Sequence, residues 1–259
     1  MNLAPTASRA LRAVSATRYV TALREGGSLP GLTEADDDGL YVVKFRGAGQ
    51  GAKALVAEVI VGELARALGL LIPELVAVEV EAALGAAEPD PEIQDLIVAS
   101  AGINLGVDFL PGALAYVPGA GFTPEPAVAA DVVWLDALTT NVDRTPRNPN
   151  LLVWHGRMWL IDHGAALYLH HQGLDPERDG SRAFPLIAEH VLLPHAASIA
   201  DAHARLSGRV SRDLLARIAG LVPADWLGDT DPETYVEYLE RRVQDGAFAE
   251  EAERARVDP

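Results

Sequence analysis

Asp143 and Asn148 stand with four residues between them in the polar loop Asn141–Asn150 (NVDRTPRNPN). Asp162 follows, opening Asp162-His163-Gly164 directly after the apolar stretch MWLI. Lys44 lies inside the apolar stretch YVVKF, ahead of a run that carries Glu58 and Glu63. These residue types suit phosphoryl transfer. A carboxylate such as Asp143 can accept the proton of an acceptor hydroxyl. A hard Mg²⁺ ion takes oxygen ligands, and Asn148 and Asp162 supply an amide oxygen and a carboxylate. Lys44 can hold nucleotide phosphates as a point charge, and a glutamate can hold Lys44 in turn. In the protein-kinase pattern a catalytic Asp and a metal-binding Asn have four residues between them, and Asp-Phe-Gly follows.

Each segment alone has a plainer reading. A loop rich in Pro, Asn and Asp is ordinary turn chemistry. A lysine in a strand can extend its tip to solvent. The order and spacing of all three segments are what point to one site. Only Lys44 and Lys53 are lysine in this chain, which makes a lysine within an apolar strand pattern worth explaining.

Elements of defined type must carry these residues. Arg18–Leu23 (RYVTAL) and Leu40–Phe45 (LYVVKF) read as strands, with a turn cluster over EGGSLPG and a polar hairpin tip over Glu34–Gly39. The acidic patch Asp36–Asp38 reads as a solvated turn. A helix is predicted from Ala52 to Leu70, stopped by Gly69 and Pro73. Glu74–Val80 alternates with period two and reads as a strand; Glu92–Ala99 stays ambiguous between strand and helix. AVAADVVWLDALTT, after Pro126, reads as a helix. LLVW and MWLI flank a turn at His155-Gly156, and the chain is mostly helical from about Phe184.

With these residues in view the chain resembles the HipA-like branch of the protein-kinase-like fold, in particular its small stand-alone bacterial members. The matching stretches are GGSLP, YVVKF, AEVIVGELARALGL, DALTTNVDRTPRNPNLL and WLIDHGAALY, within about residues 25 to 170. The resemblance implies an ATP-dependent kinase. By it, Asp143 is the catalytic base, Asn148 and Asp162 bind Mg²⁺, Lys44 touches the phosphates and Glu58 pairs with Lys44. Gly26, Gly27 and Ser28 lie in the loop over the phosphates. Two departures stand out: His163 replaces the Phe of Asp-Phe-Gly, and Arg144 follows Asp143 where many relatives have other residues.

The two glutamates are in conflict. On a helical wheel for residues 55–68, Glu63 falls within the apolar arc of Leu55, Val56, Val59, Ile60, Leu64 and Ala67, and Glu58 falls opposite. A buried glutamate needs a partner, so the wheel favours Glu63. The resemblance favours Glu58, because relatives carry their acid six residues before the Leu-Ala pair seen here at Leu64-Ala65. We take Glu58.

Other chemistries are disfavoured. GAGQGAK follows a strand and precedes a helix, but its third glycine comes one residue early for G-x-G-x-x-G, and it lacks the G-K-[ST] of a P-loop. His170 and His171 are adjacent, and His190, His195 and His203 lack the spacing of a helical metal pair, so no zinc site is expected. Acidic residues exceed basic ones, 37 to 21, for a formal charge of −16. Such a surface repels phosphate backbones and anionic lipid, so neither nucleic acid nor membrane is an expected partner. No apolar run approaches the about 18 residues of a membrane span, and no targeting segment is expected. The absence of cysteine excludes thiolate sites and fits a reducing cytoplasmic setting.

The expected architecture is α+β and bilobal: a sheet-rich N-lobe over residues 1–112, a helical C-lobe over 113–248, ATP between them, and a frayed tail over 249–259. The expected activity is ATP- and Mg²⁺-dependent transfer of the γ-phosphoryl group to a hydroxyl of Ser or Thr in a protein. A small-molecule kinase on the same fold, or a catalytically weak nucleotide-binding regulator, are the alternatives.

Overall fold

The computed structural model describes residues 10–23, 29–49 and 51–258. Gly26, Gly27 and Ser28 lie outside the described residues. The chain forms two compact units, each discontinuous in sequence. The first comprises the described residues of Met1–Ala52 with Glu74–Phe109 and Gly220–Gly228; the second comprises Lys53–Pro73, Leu110–Ala219 and Asp229–Pro259.

The first unit is built on β1 (Arg12–Ala22), β2 (Gly31–Ala35), β3 (Leu40–Lys44), β4 (Leu75–Val80) and β5 (Gly102–Asp108), which close into a small barrel in the order β1-β2-β3-β5-β4. Closure comes from the parallel pairing of β1 with β4, Arg12 opposite Val76 and Ser15 opposite Glu79. Val14, Tyr41, Val43, Phe45, Val76 and Val78 fill the interior. In β3, Tyr41 and Val43 are buried and Lys44, opposite Leu105 of β5, is half-buried. β1 begins six residues before the expected Arg18, and two register irregularities break its alternation.

β2 and β5 were not expected as strands. β5 carries Gly102 and Gly106, residues that weaken strand propensity. The second is demanded by packing: a Cβ on Gly106 would lie 2.5 Å from Val78 Cγ2 and 2.7 Å from Val76 Cγ2. β4 is buried at every position except Glu79, so its period-two pattern does not mark one wet face. Asp36–Asp38 is more than a solvated turn. Asp36 Oδ1 accepts from the Ser15 amide at 2.9 Å, and Asp37 pairs with Arg12 at 2.5 Å, so the tip is fastened to β1. α2 (Pro91–Ala99) settles the ambiguous segment as a helix, with Asp90 accepting from Glu92 N as its cap.

The second unit holds most of α1 (Gly51–Ala67) and α3 (Pro126–Leu138), followed by the hairpin β7 (Leu151–Trp154) and β8 (Arg157–Leu160). β6 (Leu114–Ala115) pairs with β7. The short helices α4 (Pro176–Asp179), α5 (Ile199–Leu206) and α6 (Arg212–Ala219) follow, then, after α7 (Ala224–Leu227) of the first unit, α8 (Pro232–Asp245) and α9 (Ala247–Val257). α3 is buried from Ala129 to Leu138 except at Asp131, so it is a core helix without a polar stripe. The tail over 249–258 is not frayed. Ala249 and Ala252 of α9 are buried, and Glu253 Oε2 accepts from Ile199 N at 2.6 Å, at the N-terminus of α5 (Ile199–Leu206). The composition of EEAERARV hid this, because the position it buries, Ala252, is small and flanked by charges.

The five barrel strands of the first unit and the helices that predominate in the second give the expected α+β content. Among the described residues no helix is long and apolar enough to cross a membrane.

Candidate active site

α3 ends at Leu138 with Thr139 as its cap, and the chain turns into the loop that carries Asp143. Asn141 ties this loop to the helix, because its amide donates to Asp136 Oδ1 at 3.0 Å while its own Oδ1 accepts from the Asp143 amide at 3.1 Å. Thr145 and Asn148 exchange both backbone hydrogen bonds at 3.1 Å, with Pro146 and Arg147 at the tip. That tight turn returns Asn148 to Asp143. Asn148 Nδ2 donates to Asp143 Oδ2 at 2.8 Å, and Asn150 Nδ2 lies 3.3 Å from the same oxygen.

Two amides therefore orient the Asp143 carboxylate through one oxygen. Among the described residues nothing donates to Oδ1, which suits a base that must meet a hydroxyl. Asn148 spends its nitrogen on Asp143, so the atom it can offer a cation is its carbonyl oxygen. Asp162 adds a carboxylate. One amide oxygen and one carboxylate suit Mg²⁺, which is held by few protein oxygens together with substrate phosphates and water.

Asp162 follows β8 in the left-handed region, at φ +56°. That conformation is uncommon for a residue with a side chain and often marks a functional position. Both neighbours of Asp162 bond to Arg144: Arg144 Nη1 lies 3.3 Å from the Ile161 carbonyl, and Nη2 lies 3.2 Å from His163 Nδ1. The residue after the candidate base thus holds the residues on either side of the candidate metal ligand.

Three polar residues missed by sequence reasoning complete this arrangement: Asp136, Asn150 and His190. Asp136 is fully buried and pairs with Arg144 Nε at 2.5 Å and His190 Nε2 at 2.9 Å. Burial alone would raise the Asp136 carboxyl, but the Arg144 charge and the His190 hydrogen bond hold it well below the usual carboxylate range. The missed signal was an aspartate inside the apolar run VVWLDAL, since a buried charge needs partners.

α1 reverses the wheel argument. Glu58 is 1% exposed, whereas Glu63 is half-buried and pairs with Arg66 on the next turn at 3.3 Å. The helix is buried on almost every face from Ala54 to Ala65, so an apolar arc cannot say which side faces in. Glu58 lies beside the Asp-His-Gly segment: a Cβ on Gly164 would fall 3.2 Å from Glu58 Oε1. Lys53 donates to the His170 carbonyl at 2.6 Å.

Asp143, Asn148, Asp162 and Glu58 belong to the second unit, and Lys44 belongs to the barrel. A groove of about 880 Å³ opens at the Thr145–Arg147 turn, walled also by His190, Val191 and Pro194.

The fold is that of a kinase. The crystal structure of the Helicobacter pylori proinflammatory kinase CtkA superposes with a TM-score of 0.58 at 12% identity, over 96% of this chain and 98% of that one. The model of the HipA-like kinase family matches residues 17–244, and the chain belongs to that family. It is thus a phosphotransferase of the kinase type. A search of curated proteins finds no match.

Proposed function

We propose that this protein transfers the γ-phosphoryl group of ATP, with Mg²⁺, to a hydroxyl of Ser or Thr in a protein. The observation that carries the reading is the bond from Asn148 Nδ2 to Asp143 Oδ2 at 2.8 Å, in a loop that Arg144 bonds to both neighbours of Asp162. In this reading Asp143 accepts the proton of the acceptor hydroxyl through the oxygen its amide neighbours leave open. Asn148 and Asp162 hold the metal, which would neutralise charge on the phosphate oxygens. Lys44 holds nucleotide phosphates, Glu58 is its carboxylate partner, and Gly26, Gly27 and Ser28 belong to the phosphate loop. Residues 1–112 act as the nucleotide lobe and 113–248 as the catalytic lobe. The groove beside Thr145–Arg147 receives the acceptor.

The test is incubation of purified protein with γ-labelled ATP and Mg²⁺, then mass spectrometry. Phosphate on Ser or Thr of this chain or of added protein supports the reading. Label on a soluble small molecule instead moves the acceptor to the small-molecule class. No transfer, with no binding of ATP, removes it.

A further inference from the structure

Arg144 is 1% exposed, and a guanidinium so buried is costly unless its donors are met. They are met from three directions. Nε bonds Asp136 Oδ2 at 2.5 Å on α3. Nη1 bonds the Asn150 carbonyl at 2.5 Å, at the far end of the catalytic loop, and the Ile161 carbonyl at 3.3 Å. Nη2 bonds His163 Nδ1 at 3.2 Å. Arginine has no acceptor, so His163 Nδ1 must accept.

The counter-charge is itself fixed. Asp136 takes donors from Asn141, Arg144 and His190. His190 Nδ1 accepts from the Leu192 amide at 3.1 Å, so its Nε2 carries the hydrogen given to Asp136. The Ile161 amide bonds the same Asn150 carbonyl at 3.1 Å that receives Arg144. One guanidinium thus closes a ring through α3, the loop after Asp143 and the end of β8.

We propose that Arg144 is a positioning residue that sets Asp143 against Asp162, with Asp136 as its buried anchor; this rests on the kinase reading of the two aspartates. Its planar fork is what the role needs. A lysine could keep the charge near Asp136 but could not reach two carbonyls and an imidazole together. A small misplacement of reacting groups lowers rate steeply, by about 10²-fold for 1 Å.

The experiment compares wild type, Arg144→Lys and a surface control, Arg205→Lys, whose exposed arginine bonds Asp131 of α3 and takes no part in the Arg144 ring. Each is measured for kcat and KM for ATP, and for hydrogen exchange over residues 160–166. Arg144→Lys is expected to lose about 10²-fold in kcat, keep its KM for ATP, and exchange faster over 160–166; the control should match wild type. Should Arg144→Lys fail to fold, His163→Asn and His163→Leu replace it. Asn keeps an acceptor where Nδ1 stands and should retain rate and protection; Leu should lose both. An unchanged kcat in Arg144→Lys, or a lost kcat with unchanged exchange, overturns the positioning role while leaving the kinase reading in place. Wild-type protein that transfers nothing removes the kinase reading, and the positioning role with it.

Discussion

Arg144, the residue after Asp143, and His163, the residue after Asp162, are bonded to each other, Nη2 to Nδ1 at 3.2 Å. Together they place a directed hydrogen bond beside Asp162. The bond ends on a guanidinium whose other donors reach Asp136, Asn150 and Ile161. The loop that carries Asp143 and the segment around Asp162 are therefore joined by polar geometry rather than by packing alone.

The two aspartates should separate by role. Saturating ligand at a hundredfold over Kd stabilises by about 2.7 kcal/mol, which for a chain of this size is a melting shift of about 5–10 °C. Asp143→Ala is expected to keep the Mg-ATP shift and lose transfer. Asp162→Ala should lose both, and Asn148→Ala should fall between them. A full Mg²⁺-dependent shift in Asp162→Ala would show that this carboxylate is not the metal ligand.

Glu58 and Glu63 differ in consequence. Glu58→Gln should lower transfer strongly, because the buried carboxylate faces the Asp-His-Gly segment. Glu63→Gln removes a surface pair with Arg66, worth about 0.3–0.5 kcal/mol, and should leave rate unchanged. Gly164→Ala puts a methyl group 3.2 Å from Glu58 Oε1 and should follow Glu58→Gln in direction. Rates for the three variants under one assay decide it; a larger loss in Glu63→Gln than in Glu58→Gln would reverse the assignment.

Lys44→Met should weaken Mg-ATP binding without unfolding the barrel, since the partly exposed end of β3 tolerates an apolar chain of similar length. Calorimetric titration of wild type and variant is the check, and equal Kd values would remove Lys44 from the phosphate site.

Acid should destabilise this protein well above the carboxylate range. Burial, with the nearby charges of His171 and Lys53, lowers His170 to about 3. Burial also lowers His190, against the pull of its bond to Asp136. An unfolded histidine takes a proton near pH 6.5, so below that pH the unfolded chain binds more protons and stability falls as pH falls. For His170 the loss between pH 7.5 and 5.5 is on the order of 1 kcal/mol, or a few degrees in Tm. Asp136 adds nothing in this window, because a depressed carboxyl gives up its contribution only below its ordinary range. Melting His170→Gln across the same range should show a flatter slope; an identical slope would place the acid sensitivity elsewhere.

The loop that carries Asp143 and Asn148 was legible because it is local. The spacing of Asp143 and Asn148, the helix before them, the β7–β8 hairpin after them and the position of Asp162 at its end all depend on residues within a few turns of one another. Turn chemistry and periodicity report such segments directly. The partition of Glu58 and Glu63 was not legible from periodicity. A wheel distinguishes faces only when one face is wet, and α1 is buried nearly all round. The resemblance chose Glu58, the residue the tertiary structure buries.

The barrel and the Arg144 ring belong to tertiary structure alone. β5 closes the sheet between β3 and β4, but Gly102 and Gly106 lower its strand signal. Gly106 is needed only because Val76 and Val78 pass so close. Arg144 and His163 are 19 residues apart, and Asp136 and His190 are 54 apart. No local rule links such pairs. What joins them is the cost of burying a charge: once α3 places Asp136 in the core, only the folded chain can bring the arginine, histidine and amide that satisfy it.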